Sequence, residues 1–152
     1  MRNPLAVTVV AVIAALAGPA FGGPDGMIMM KSSHSVDRTL DRLSETLTAK
    51  GLTVFARIDH AANAGSASLE LPATQVLIFG NPKLGTPLMQ ANRPIAIDLP
   101  QKALAYKDAE GQVWLAYNDP RYLADRHDVT TRDKIVEKIG KALHSFARQA
   151  TR

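Results

Sequence analysis

Apolar side chains along this chain fall into runs whose spacing changes from place to place, and each change marks an element. Leu5 to Ala17 is a charge-free apolar run closed by Gly18 and Pro19. Met27 to Ser32 follows as a short, mostly apolar strand, and Ser33 to Ser35 supplies hydroxyls of the N-cap type. Val36, Leu40, Leu43 and Leu47 then recur at helical spacing until Gly51, a natural C-cap, follows Lys50. Leu52 to Ile58 is rich in β-branched and apolar side chains, which predicts a second strand closing on Asp59 and His60. Strand, helix, strand in so few residues makes a βαβ unit if the two strands are parallel.

Residues 61–73 are small and polar, a loop with a short strand or turn near Leu69 and Leu71. Gln75 to Phe79 is nearly all apolar, as in a central strand buried on both faces. It meets the turn residues Gly80-Asn81-Pro82. Gly85 and Pro87 then restrict any helix over Lys83 to Asn92 to a short one starting near Pro87, and Ile95 to Leu99 is a brief strand ended by Pro100. Lys102 to Tyr106 and Val113 to Tyr117 flank Asp108-Ala109-Glu110-Gly111, a hairpin. Asn118-Asp119-Pro120 opens a short helix to about Arg126, and Thr130 or Thr131 caps a long helix at about 131–149 with Ile135, Ile139, Leu143 and Phe146 on its apolar face. These elements predict one α+β two-layer domain over 23–152, a mixed sheet of about five strands packed against two main helices.

Composition adds compartment and exclusions. Residues 1–22 have the three parts of a cleaved secretory signal: basic Arg2, the apolar run, and the small-residue site Ala20-Phe21-Gly22. The run is shorter than the roughly 20 residues of a spanning helix, so a periplasmic or secreted protein is expected. Such a leader removes Arg2 and leaves 17 basic against 14 acidic side chains, a mild +3. With 46% hydrophobic residues the mature chain should fold, and with no cysteine it has neither disulfides nor a thiolate site.

Several motifs occur together in order: Asp59-His60, Phe79-Gly80-Asn81-Pro82, Gly85-Thr86-Pro87-Leu88-Met89, Asp98-Leu99-Pro100, the Asp108 to Gly111 hairpin and Tyr117-Asn118-Asp119-Pro120. From about Met29 to His127 the chain resembles the domain-of-unknown-function family 302. The resemblance implies a compact α/β fold, often dimeric, with no agreed activity. Gln101 departs from the pattern, since an apolar residue often follows the Leu-Pro pair, and the long C-terminal helix lies largely beyond the shared motifs.

Candidate chemistry centres on histidine. His34 and His60 end the first two strands and would share the carboxyl edge of a parallel sheet, where open α/β sheets bind ligands. Asp98 and His127 complete the candidate ligand or metal set, with Asp59, Asn81 and Met89 as secondary candidates. Imidazoles with a carboxylate suit zinc or copper, and Met89 would add a soft copper ligand. The spacing matches no compact ligand signature, and local capping by these side chains is the plainer reading. Glycines from Gly80 to Gly85, with Lys83, would let backbone amides meet an anion, but no phosphate-loop fingerprint is present. Asp37 and Asp41 share a helix face with Arg38 and Arg42 nearby, a solvated surface. Lys134, Lys138, Lys141, Arg148 and Arg152 form a basic stripe suited to weak contact with anionic membrane surfaces. No catalytic residue is assigned. The expected function is an exported binding or accessory protein that takes a small ligand or metal and no nucleic acid, with a second copy of itself as the expected partner. The alternatives are an enzyme with a histidine general base and a partner-binding domain using the basic C-terminal helix.

Overall fold

Ser35 starts the first helix by accepting a hydrogen bond from the Arg38 amide at 3.2 Å. In the computed structural model, which describes residues 26–152, the order is β1 (Met27–Ser32), α1 (Val36–Ala49), β2 (Thr53–Asp59), α2 (His60–Ser66), β3 (Thr74–Gly80) and α3 (Pro82–Ala91). A 3-10 turn (Arg93–Ile97), β4 (Gln101–Lys107), β5 (Val113–Asn118), α4 (Pro120–Arg126) and α5 (Asp133–Thr151) complete it. The leader expected over residues 1–22 lies outside the described residues.

The five strands form one sheet in the order β1-β5-β4-β3-β2, and every neighbouring pair is antiparallel. The α+β architecture is therefore the expected one, while the strand directions differ from the mixed sheet anticipated. β1 and β2 do not pair as a βαβ unit; they lie at opposite edges. Helices α1 and α5 pack together on one face, where Leu40, Leu47, Leu77, Phe79, Ala105 and Leu115 are each at most 1% exposed. β3 alternates buried and half-buried positions, so it is covered on one face rather than two. On the other face Met29, Leu104, Val76 and Ile78 remain half-exposed.

Local chemistry explains the remaining departures. Asp59 accepts from the Ala62 amide at 2.9 Å and caps α2 over an alanine-rich stretch expected to be loop. Asn81 accepts from the Lys83 amide at 2.9 Å, so α3 starts at Pro82. Pro87 sits inside that helix, giving up the bond its missing N–H would make to the preceding turn. The expected strand over Ile95 to Leu99 is instead the 3-10 turn, with Ile97 76% exposed. No side chain caps α5, which starts at Asp133 rather than after a threonine cap. Its far end is tied back to β1 and α1: Ser33 donates to the Thr151 carbonyl, and the Arg42 guanidinium donates to the carbonyls of Gln149 and Ala150.

Candidate functional site

The amino end of β2, the carboxyl end of β3 and the amino end of β4 meet at one end of the sheet, because adjacent antiparallel strands reverse direction. There residues of α3 and of the middle of α5 line a cleft of about 560 Å³. Ligand pockets commonly run from about 300 to 1,000 Å³. Phe55 of β2, Leu84 and Met89 of α3 and Leu99 just before β4 line it, together with Ile139, Leu143 and Phe146 of α5. The three α5 residues were expected only as core. Phe55 stands at a register shift between Val54 and Ala56, a β-bulge that adds a residue and re-aims a side chain. It reaches the cleft while 54% exposed. At Gly80, on the cleft floor, a Cβ would meet Pro100 Cβ at 3.4 Å and Phe55 Cε2 at 3.5 Å, ordinary contact distances. The charged lining residues are Lys50, Lys83 and Lys138, with no carboxylate among the lining.

The four principal candidates do not gather. His34 and His60 follow edge strands separated by four inter-strand spacings, or roughly 19 Å at about 4.8 Å each. Nε2 of His34 lies 2.7 Å from the Arg152 carbonyl oxygen. His60 opens α2 as an exposed residue. Asp98 and His127 belong to the opposite end of the sheet, since β4 starts just after Asp98 and α4 follows β5. These two do meet: His127 Nε2 is 2.6 Å from Asp98 Oδ2, which Arg126 also approaches at 3.3 Å. Asn92 donates to the His127 carbonyl at 2.7 Å, joining the 3-10 turn to α4. Among the described residues no three His, Asp or Glu side chains form a group able to hold a metal ion. The shared histidine site at a parallel-sheet edge is thus replaced by one Asp98–His127 contact and two separate imidazoles, because the strand order puts β1 and β2 at different edges.

The secondary candidates also separate. Asp59 and Asn81 are helix caps, and Asp59 additionally accepts from the Gln75 amide at 3.1 Å. Met89 lines the apolar cleft. Asp37 and Asp41 pair with Arg57 at 3.2 and 2.6 Å, clamping α1 to β2. In the basic stripe Lys141 pairs with Glu137, whereas Lys138 stands at the cleft. Asp108 is held below the ordinary carboxylate range, first by the Trp114 indole N–H donating at 2.7 Å, which ties down the hairpin.

Comparison with known families matches residues 28–146 to "Domain of unknown function DUF302". The chain belongs to this family. The match extends through Phe146, so most of α5 belongs to the DUF302 region rather than lying outside it. A crystal structure of an uncharacterized conserved DUF302 protein from Bacillus stearothermophilus aligns with a TM-score of 0.75 at 19% identity. It covers 83% of this chain and 98% of that one, a likeness of fold. Curated relatives include fluoride-specific ion channel FluC 1 of Brucella suis biovar 1 and FluC 2 of Brucella melitensis biotype 1, each 48% identical over 104 residues. The match covers 68% of this chain but 41% and 38% of theirs, so the chain spans about two-fifths of the length of these relatives. No helix among the described residues is long and apolar enough to cross a membrane.

Proposed function

We propose that this DUF302 chain is a binding module that holds a small, largely apolar ligand in the cleft between α3 and α5. The observation that carries this reading is convergence. Gly80-Asn81-Pro82, Gly85-Thr86, Met89 and Leu99-Pro100 are separate motifs in the sequence, yet all of them line one cavity. Packing alone does not require an opening there, and an apolar concavity of this size would be stabilised by an apolar guest. The composition of the leader supports work outside the cytoplasm. A histidine-based enzyme is a weaker reading, since His127 is only 11% exposed and its Nε2 is engaged by Asp98.

Titration with a solvatochromic apolar fluorophore tests the cleft. Wild type should bind it saturably, and Ala142→Trp, which places an indole in the cavity, should abolish binding while keeping a cooperative thermal transition. Equal binding by a folded Ala142→Trp protein would move the site elsewhere.

A second reading rests on the Brucella relatives, whose names describe fluoride-specific ion channels. The matched two-fifths would act in them as an accessory domain, and this chain would serve beside a membrane channel. Fluoride efflux from cells carrying a channel, measured with and without co-expression of this chain, tests that role; identical efflux removes it. The half-exposed outer face of the sheet, with Met29, Leu104, Val76 and Ile78, is the surface that favours self-association. Light scattering on Leu104→Lys against wild type reads whether that face holds a dimer together.

A further inference from the structure

Five polar side chains are buried in the described residues: Ser32, Thr39, Gln75, Gln101 and Thr151. Four are hydrogen-bonded. Ser32 and Thr39 share a bond at 2.6 Å, Thr151 donates to the Ala147 carbonyl at 2.9 Å, and the Gln75 amide meets Arg57, Asp37 and Asp59. Gln101 differs: the residue is 8% exposed and its carboxamide has no hydrogen-bond partner among the described residues, yet its polar atoms keep contact with solvent through the cleft, unlike the fully buried, unpaired hydroxyl of Tyr117. It opens β4 opposite Phe79 and lines the cleft. Its carboxamide, unpaired by the protein and set on the cleft wall, can both donate and accept. It is suited to meet an oxygen carried by whatever fills the cavity.

Charge at the same cleft points one way. Lys50, Lys83 and Lys138 are exposed, have no ion-pair partner among the described residues, and face no lining carboxylate. Three unneutralised cations around an apolar opening favour an anionic group at its mouth. A purely apolar guest would leave both these lysines and Gln101 unmet.

We infer that the cleft takes a single-chain amphiphile with an anionic head and an oxygen function on its chain, the head at Lys50, Lys83 and Lys138 and the oxygen at the Gln101 carboxamide. This inference rests on the cleft being the ligand site. Gln101 is then its specificity-determining residue. A hydroxylated fatty carboxylate and a single-chain phospholipid share this chemistry.

Displacement of a solvatochromic fluorophore from the mature protein tests it. The competitors are dodecanoate, hydroxydodecanoates with the hydroxyl near the head, mid-chain or at the tail, neutral dodecanol, and a lysophosphatidate, all below their micellar concentrations. The best hydroxydodecanoate should displace the fluorophore at about tenfold lower concentration than dodecanoate. Gln101→Leu should erase that ratio while keeping dodecanoate binding and the thermal transition. The triple variant Lys50→Gln, Lys83→Gln, Lys138→Gln should weaken the anionic competitors and leave dodecanol unchanged. Tighter binding of lysophosphatidate than of any hydroxydodecanoate would support the inference and name a phospholipid as the source. An unchanged ratio in Gln101→Leu, or dodecanol equal to dodecanoate in wild type, overturns the inference although the cleft still binds. Wild type that binds neither fluorophore nor amphiphile overturns the cleft reading itself.

Discussion

Tyr117→Phe separates an unpaired polar group from ordinary packing. Tyr117 lies in β5 opposite Ile28 and Ala103, is 4% exposed, and has a buried hydroxyl without a hydrogen-bond partner among the described residues. Burial first, and the charge of Asp119 second, push its pKa from 10.0 up to about 12. Below pH 10 the folded and unfolded chains both keep the proton, so this stabilising difference is fully present. As pH rises from 10 through 12 the unfolded chain ionises first, and the contribution is lost. A shift of about two units corresponds to roughly 2.7 kcal/mol in total, of which about 1.4 kcal/mol has gone by about pH 11. Near neutrality, removing an unpaired buried hydroxyl should make Tyr117→Phe more stable by about 1 kcal/mol. Urea unfolding of both proteins at about pH 8 and about pH 11 measures both effects, and the difference in favour of the variant should widen by about 1.4 kcal/mol at the higher pH. A variant less stable than wild type at pH 8 would mean that the hydroxyl has a partner, and a difference that does not grow at pH 11 would refute the raised pKa.

Three further outcomes follow from the same geometry. Asn81→Ala should cost about 1 kcal/mol by uncapping α3, and Asn81→Asp should restore most of it in urea titrations; equal loss in both would mean the cap carries little. Asp98→Ala should lower stability by about 2 kcal/mol, because it leaves His127 and Arg126 without their shared carboxylate, yet it should leave fluorophore affinity within about twofold of wild type. Calorimetric titration with zinc or copper should show no heat that depends on His60, since His34, His60 and the Asp98–His127 pair stand apart; a stoichiometric signal lost in His60→Ala would contradict that separation.

Much of the local structure could be read from residue order. Val36, Leu40, Leu43 and Leu47 are at most 2% exposed, as their helical spacing required. The Asp108 to Gly111 loop joins β4 to β5, and Asp119 caps α4 by accepting from the Arg121 amide at 2.8 Å. Signals for α2 and α3 were also present, in Asp59 before an alanine-rich stretch and in Asn81 before Pro82. They were outweighed by the glycines and by Pro87, which in isolation disfavour helix.

The sequence by itself determined where most helices and strands begin and end, because periodicity, caps and turns act over a few neighbouring residues. Only the tertiary structure decided which strands are neighbours, since pairing joins residues far apart and the best arrangement is set by the whole sheet. That choice sent β1 and β2 to opposite edges and dispersed the histidines. It also brought Phe55, Gly80, Leu99, Gln101 and the α5 side chains around one cavity. Gln101 stood out in the sequence only as a departure from the family pattern. Its meaning depends on its place, an unpaired carboxamide on the wall of a cleft that the fold assembles.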